Sequence, residues 1–180
     1  MAASHACTLF DTTIGRCGIA WGPRGITAFQ LPEPGDEATL RRMFRRGGPL
    51  PQEAAPPQVQ DTIARVQALL GGEPVDLRHV AIDLTGIPDF HQRVYAVARE
   101  ILAGQTRSYG EVAAALGEPG ASRAVGHALG ANPFAIIVPC HRVLAAGGAS
   151  GGFSAGGGVA TKLRILLIER AQFGAQPGLF

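Results

Sequence analysis

A chain of 180 residues, 46% hydrophobic and 17% charged, has room for one domain or two small ones and is too apolar to be disordered. Its net charge of +2 demands neither nucleic acid nor membrane as a partner, and no stretch reaches the length of a membrane-spanning helix. The opening "MAASHACTLF" lacks the basic and long apolar regions of a secretory signal, so a cytoplasmic protein with free thiols at Cys7, Cys17 and Cys140 is expected.

The first elements alternate as strands do. "TLFDTT", "RCGIAW" and "GITAFQL" read as three short strands, with turns at Ile14-Gly15-Arg16 and at "WGPRG". Cys7 and Cys17 fall in these strands and read as core residues. A metal site shared with His5 would be the other reading, but the CxxC or HxxxH spacing is missing. "DEATLRRMFRR" follows as a helix with an arginine-rich face, "GGPLPQEAAPPQ" as a loop, and "VQDTIARVQALLGG" as a helix stopped by glycine. "VDLRHVAIDL" is expected to return as a strand. Residues 1–87 thus read as a small α/β or α+β unit, with eight arginines against nine acids.

Past a boundary near Gly86–Pro88 the periodicity becomes helical, and residues 88–180 carry seven arginines and one lysine against five acids. Asp89 and Gln92 have the spacing of a capping box. Phe90, Val94, Val97 and Ile101 then mark one face of a helix closed by Gly104. A second capping box, Ser108 and Glu111, opens "SYGEVAAALG", which stops at Gly117. After the turn "EPG", the helix "ASRAVGHALGAN" presents Ala121, Ala124, Val125, Ala128 and Leu129 as a buried stripe. Two short helices across a tight glycine-containing turn suggest a helix-turn-helix. The opposite face, Ser122, Gly126 and Gly130, is nearly bare of side chains and is flanked by Arg123 and His127. Either it lets a nucleic acid approach, or it packs closely on another helix.

The apolar run "NPFAIIVPC" reads as a buried strand ending at Cys140, beside His141. A thiol is mostly protonated near neutrality and needs a base or a positive field to act as a nucleophile. Neighbouring side chains diverge, so direct contact between His141 and Cys140 is not assured by their adjacency, and a bridging water is one way to link them; the other reading is a buried, inert cysteine. The glycines of "GGFSAGGG" suit a tight pocket for a flat ligand. "GVATKLRILLIERAQ" closes the chain as a helix with Leu163, Leu166 and Leu167 inward, carrying Lys162, the only lysine. Glu169 either orients His141 or is a solvated charge at a helix end.

Together, "SYGEVAAALG", "SRAVGHALGANP", "VPCHRV" and "GGFSAGGGVATKLRILLIE" resemble the O6-alkylguanine-DNA alkyltransferases, also called methylated-DNA–protein-cysteine methyltransferases, over residues 88–170. The first half is similar more loosely, through "FDTTIGRCGIAW" and "GITAFQL". The resemblance implies a two-domain α/β (α+β) fold: a small ribonuclease H-like sheet with helices, then a mainly helical domain with a helix-turn-helix. It implies a single-use repair protein that moves the alkyl group of O6-alkylguanine, with O4-alkylthymine a second candidate, from double-stranded DNA to its own cysteine. No cofactor and a monomer are implied.

Residue by residue, the resemblance makes Cys140 the acceptor, His141 its base through a water, and Glu169 the group that polarises His141. Asn132 becomes the hinge side chain and Tyr109 the proton donor to the departing guanine. Arg123 fills the space of the flipped nucleotide, with Ala121, Ser122 and Gly126 also facing DNA. Val143, Phe153, Ser154 and Lys162 edge the base pocket. The segment from Phe153 to Lys162 is longer than the family's commonest form, and Phe153 stands where tyrosine is frequent, which bears on the size of adduct accepted. Gly22 and Thr27 stand where zinc-binding members have ligands, so no metal is expected. Three rivals differ in kind: a non-enzymatic relative would lack Cys140, a Cys-His hydrolase would turn over repeatedly, and a plain DNA-binding regulator would not need the thiol.

Overall fold

The computed structural model describes residues 4–148 and 158–172. Among these residues it is a mixed α/β structure with a small antiparallel sheet and six α-helices. Residue contacts divide it into two compact units, one made of residues up to Gly86 with Pro133–Ile137, the other of Ile87–Asn132 and the chain from Val138 onward.

In the first unit, strands β1 (Ala6–Thr12), β2 (Gly15–Gly22) and β3 (Gly25–Gln30) form an antiparallel meander with β2 in the centre. Tight turns after Thr12 and Gly22 fix the register, Thr12 opposite Gly15 and Gly22 opposite Gly25. The central strand is buried from Cys17 onward, while β1 buries Ala6, Cys7 and Phe10 and β3 buries Ile26 and Phe29. Phe10 and Phe29 meet edge-on at 5.8 Å. Helix α1 (Asp36–Met43) lays Met43 over Cys7 and Ala20. Helix α2 (Pro57–Leu70) starts at a proline, which fits a first turn whose N–H groups lack partners, and ends at Gly71.

The strand expected at "VDLRHVAIDL" does not form. The Asp76 carboxylate accepts the Arg78 backbone N–H at 2.9 Å and turns the chain. Only Ile82 pairs, in a single bridge to Ile26. The Ile26 N–H donates to Ala81 and the Asp83 N–H to Ile26. Gly25 is obligatory here: φ is +125° and a Cβ would lie 2.5 Å from the Ala81 carbonyl oxygen.

The second unit is built on helices α3 (Asp89–Arg99), α4 (Tyr109–Ala115), α5 (Ser122–Gly130) and α6 (Gly158–Ile168). The capping box expected at Asp89 and Gln92 is absent. Pro88 occupies the cap, no side chain caps the helix, and the Gln92 amide donates to the Ile87 carbonyl. The buried face of α3 is Val94, Tyr95 and Ala98, with Phe90 only partly covered. The Tyr95 hydroxyl donates to the Ala128 carbonyl at 2.9 Å, tying α3 to α5. Helix α4 carries the full Ser108–Glu111 capping box, and Gly117 follows it at φ +78°. On α5 the buried stripe is Val125, Ala128 and Leu129; Ala124 is exposed. The inward residues of α6 are Lys162, Ile165 and Leu166, with Leu163 partly covered and Leu167 61% exposed. No helix among the described residues is long and apolar enough to cross a membrane.

Candidate functional site

Between Asn132 and Cys140 the expected strand gives way to consecutive tight turns. Prolines at 133 and 139 remove ladder donors, and only Phe134 forms a bridge, to Phe29. The Ile137 N–H donates to the Ala135 carbonyl around Ile136, whose φ of 69° is strained for a β-branched residue. The Cys140 N–H donates to the Val138 carbonyl around Pro139, at φ −80° and ψ 65°, an inverse γ-turn. The Asn132 side chain donates to the same Val138 carbonyl at 3.0 Å and so joins the two ends of this excursion. Cys140 then begins a 3-10 turn, Cys140–Arg142.

That turn runs into β5 (Val143–Leu144), which pairs in parallel with β4 (Arg107–Ser108). The pairing is only two residues long, but Tyr109, the first residue of α4, follows it directly. The Lys162 ammonium donates to the Val143 carbonyl at 2.8 Å and lies 5.9 Å from the centre of the Tyr109 ring. Tyr109, Cys140, Val143 and Lys162 therefore share one neighbourhood.

Behind Cys140 the structure buries charge. His141 Nε2 is 2.8 Å from Glu169 Oε1. Arg142 donates to both oxygens of Glu169, at 3.0 and 2.7 Å, and to the Ile101 carbonyl at 2.7 Å. The side chains of His141 and Glu169 are 1% and 0% exposed. Burial alone would raise the Glu169 carboxyl, but His141 and Arg142 outweigh it and hold the group down at about 2. Burial lowers His141 below the ordinary imidazole value, against the pull of Glu169. The consistent state is a Glu169–Arg142 ion pair beside a neutral imidazole. An ionised carboxylate only accepts, so Nε2 carries the ring proton. Nδ1 is then a bare acceptor, and it is a buried side-chain atom with no hydrogen-bond partner among the described residues.

Burial also pushes the Cys140 thiol up, opposed by the Asn132 side chain, the Lys162 charge and the backbone N–H groups of Cys140 and His141. The group rests as a thiol and needs a base to react. Lys162 is driven down to about 8 by burial, and Tyr109 is raised by burial and by the nearby Cys140.

Arg123 is exposed in the first turn of α5. Ser122 and Ala121, at the start of that helix, are half-buried. A Cβ at Gly126 would make ordinary contact with the Tyr109 ring at 3.8 Å, and one at Gly130 would meet nothing within 4 Å. Among the described residues no close helix packing therefore requires these glycines. Phe153 and Ser154 lie outside the described residues. Among the described residues no three His, Cys, Asp or Glu side chains are grouped to hold a metal. Arg142 was not singled out from the sequence. The available signal was a charged residue inside the apolar run "IIVPCHRVL".

The chain matches the family described as "6-O-methylguanine DNA methyltransferase, DNA binding domain" over residues 89–171. It is 38% identical over 166 residues to a methylated-DNA–protein-cysteine methyltransferase of Mycobacterium leprae, covering 92% of this chain and 93% of that one. A protein of the same name from Mycobacterium tuberculosis is 46% identical over 118 residues, 66% of this chain and 69% of that one. Among solved structures, Mycobacterium tuberculosis OGT in complex with DNA superposes with a TM-score of 0.74 at 35% identity, covering 94% of this chain and 96% of that one.

Proposed function

The chain belongs to the methylated-DNA–protein-cysteine methyltransferase family, and from that premise we propose that it repairs DNA by moving the alkyl group of O6-alkylguanine onto its own Cys140. The observation that carries this reading is the buried His141–Glu169–Arg142 array directly following a thiol that needs a base.

The O6 substituent of a paired guanine is out of reach inside the duplex, so the nucleotide must leave the stack at a cost of a few kcal/mol. Helices α4 and α5 act as a helix-turn-helix that enters the minor groove. The stripe of Ser122, Gly126 and Gly130 lets the backbone come close, and Arg123 takes the place of the extruded nucleotide. That no packing among the described residues needs Gly126 or Gly130 supports this use of the stripe over helix packing.

In the transfer step the Cys140 sulfur attacks the alkyl carbon in line as the carbon–O6 bond breaks. The thiol proton passes through a water to His141 Nδ1, and Glu169 stabilises the imidazolium. The Tyr109 hydroxyl gives a proton to the guanine ring as it departs, so the base leaves neutral. The imidazolium and the phenolate then return to their resting states through solvent. The net exchange is an alkyl group on sulfur for a hydrogen on guanine. A thioether has no hydrolytic exit, so each chain acts once.

Asn132 holds the turn that presents Cys140, and Val143 with Lys162 edges the pocket. O4-alkylthymine is a second substrate by the same chemistry. Residues 1–87 act as a structural domain and residues 88–180 carry the DNA-binding and acceptor functions, in a cytoplasmic monomer. Incubation with excess methyl-labelled duplex tests the activity: label should transfer to protein and stop at one methyl per chain. Continued turnover would instead mark a hydrolase, and no transfer at all would refute the proposal.

A further inference from the structure

Glu169 accepts three donors, and two of them belong to Arg142. The guanidinium fork grips both carboxylate oxygens while its third arm holds the Ile101 carbonyl, just beyond α3. Arg142 is 6% exposed, so this is an interior clamp and not a surface pair. Its position follows from the 3-10 turn, which places His141 and Arg142 consecutively with both side chains on one carboxylate. A buried carboxylate next to an imidazole alone could share the proton or rotate away. Gripped by a fork, it stays charged and keeps one oxygen aimed at Nε2.

We propose that Arg142 is a positioning residue for the transfer reaction: by clamping Glu169 it keeps the proton of His141 on Nε2 and leaves Nδ1 free to take the Cys140 proton. The inference rests on the reading of Cys140 as acceptor. The charged and titratable groups around His141 are Glu169, Arg142, Lys162 and the Cys140 thiol. Arg142 and Lys162 oppose the protonation that Glu169 favours. Removing Arg142 therefore makes the imidazole easier to protonate, and a protonated imidazole is no base.

The test is the pH dependence of transfer in Arg142→Gln and Arg142→Lys, with ring nitrogen NMR of His141 in the wild-type chain. Arg142→Gln should slow transfer at neutral pH by about tenfold, the effect of losing a charged hydrogen-bond partner. Its acid limb should move about one pH unit upward. Arg142→Lys should restore the limb toward wild type while remaining slower, because it keeps the charge and loses the fork. An arginine that only fills space would lower the folded fraction and leave the limb of the folded protein where it was, which would overturn the proposal. Should Arg142→Gln not fold, the wild-type NMR still decides. A neutral ring with hydrogen on Nε2 and a bare Nδ1 at neutral pH is required, and an imidazolium or an Nδ1–H form would overturn it. The NMR result does not depend on transfer, so a wild-type chain that fails to take up label would sink the functional reading without deciding this one.

Discussion

Cys17 is a buried thiol and Cys140 a half-buried one, and their surroundings differ in kind. Around Cys17 the strands are apolar, burial raises the thiol to about 12, and only the Thr12 hydroxyl pulls the other way. Around Cys140 four sources pull against burial: Asn132, Lys162 and two backbone N–H groups. Individual ion pairs show a related contrast. In the sheet unit the pairs Arg41–Glu37, Arg65–Asp61 and Arg78–Asp76 lie in solvent, where they contribute little. In the helical unit His141, Arg142, Lys162 and Glu169 are withdrawn from water. Burying charge rarely gains stability, so its concentration beside one cysteine points to chemistry.

The largest expected effect separates the two thiols. Cys140→Ala should abolish methyl transfer while binding of duplex DNA survives, and Cys17→Ala should keep transfer in whatever fraction folds. Equal losses, measured per folded chain, would erase the contrast. Next, Arg123→Ala should slow repair of duplex far more than reaction with free O6-alkylguanine base. Equal slowing of both would remove its place in base extrusion.

The buried pair can be set against the surface pairs by denaturant unfolding. Glu169→Ala strands Arg142 without its partner and should lose about 3–5 kcal/mol. Glu37→Ala should leave the midpoint unchanged within error. The Glu169 carboxyl is held down at about 2 from an ordinary 4.5, so its stabilisation is present above pH 4.5 and disappears as pH falls toward 2. Glu169→Gln should flatten that part of the stability profile, worth about 3 kcal/mol. A profile unchanged in this window would mean the carboxylate is not held ionised.

The smallest effect concerns the smooth face of α5. Gly126→Ala gains helix propensity and meets only ordinary contact with Tyr109, so it should stabilise the chain by about 0.5–1 kcal/mol. The same change should weaken duplex binding. A stabilised variant that binds duplex as well as before would show that the stripe does not face DNA.

The sequence was readable where structure is set locally. Ser108 and Glu111 define a cap within four residues, and the cap forms. Asp89 and Gln92 have the same spacing, but Pro88 takes the cap position and the signal misleads. "VDLRHVAIDL" has strand composition, yet the side chain of Asp76 turns it. The run before Cys140 is apolar because it is buried, not because it is extended; its two prolines were the available warning. The site was partly legible. The motif around Cys140 stands out by itself, but the contact between Glu169 and His141 spans 28 residues and comes only from the folded chain. Spacing alone does not separate a Glu169 that orients His141 from an ordinary helix-end charge. Lys162 sits three and four residues before Ile165 and Leu166, on the inward stripe of α6, so its burial was available from periodicity. Arg142 needed the structure, since nothing in the chain order says which carboxylate it meets.

The most direct measurement is the mass of the intact chain and of its Cys140 peptide after exposure to methylated duplex. The account predicts the gain of one methylene's mass per chain, located on the Cys140 sulfur. A folded chain whose Cys140 peptide keeps its original mass, or a methyl group found on another residue, would contradict it.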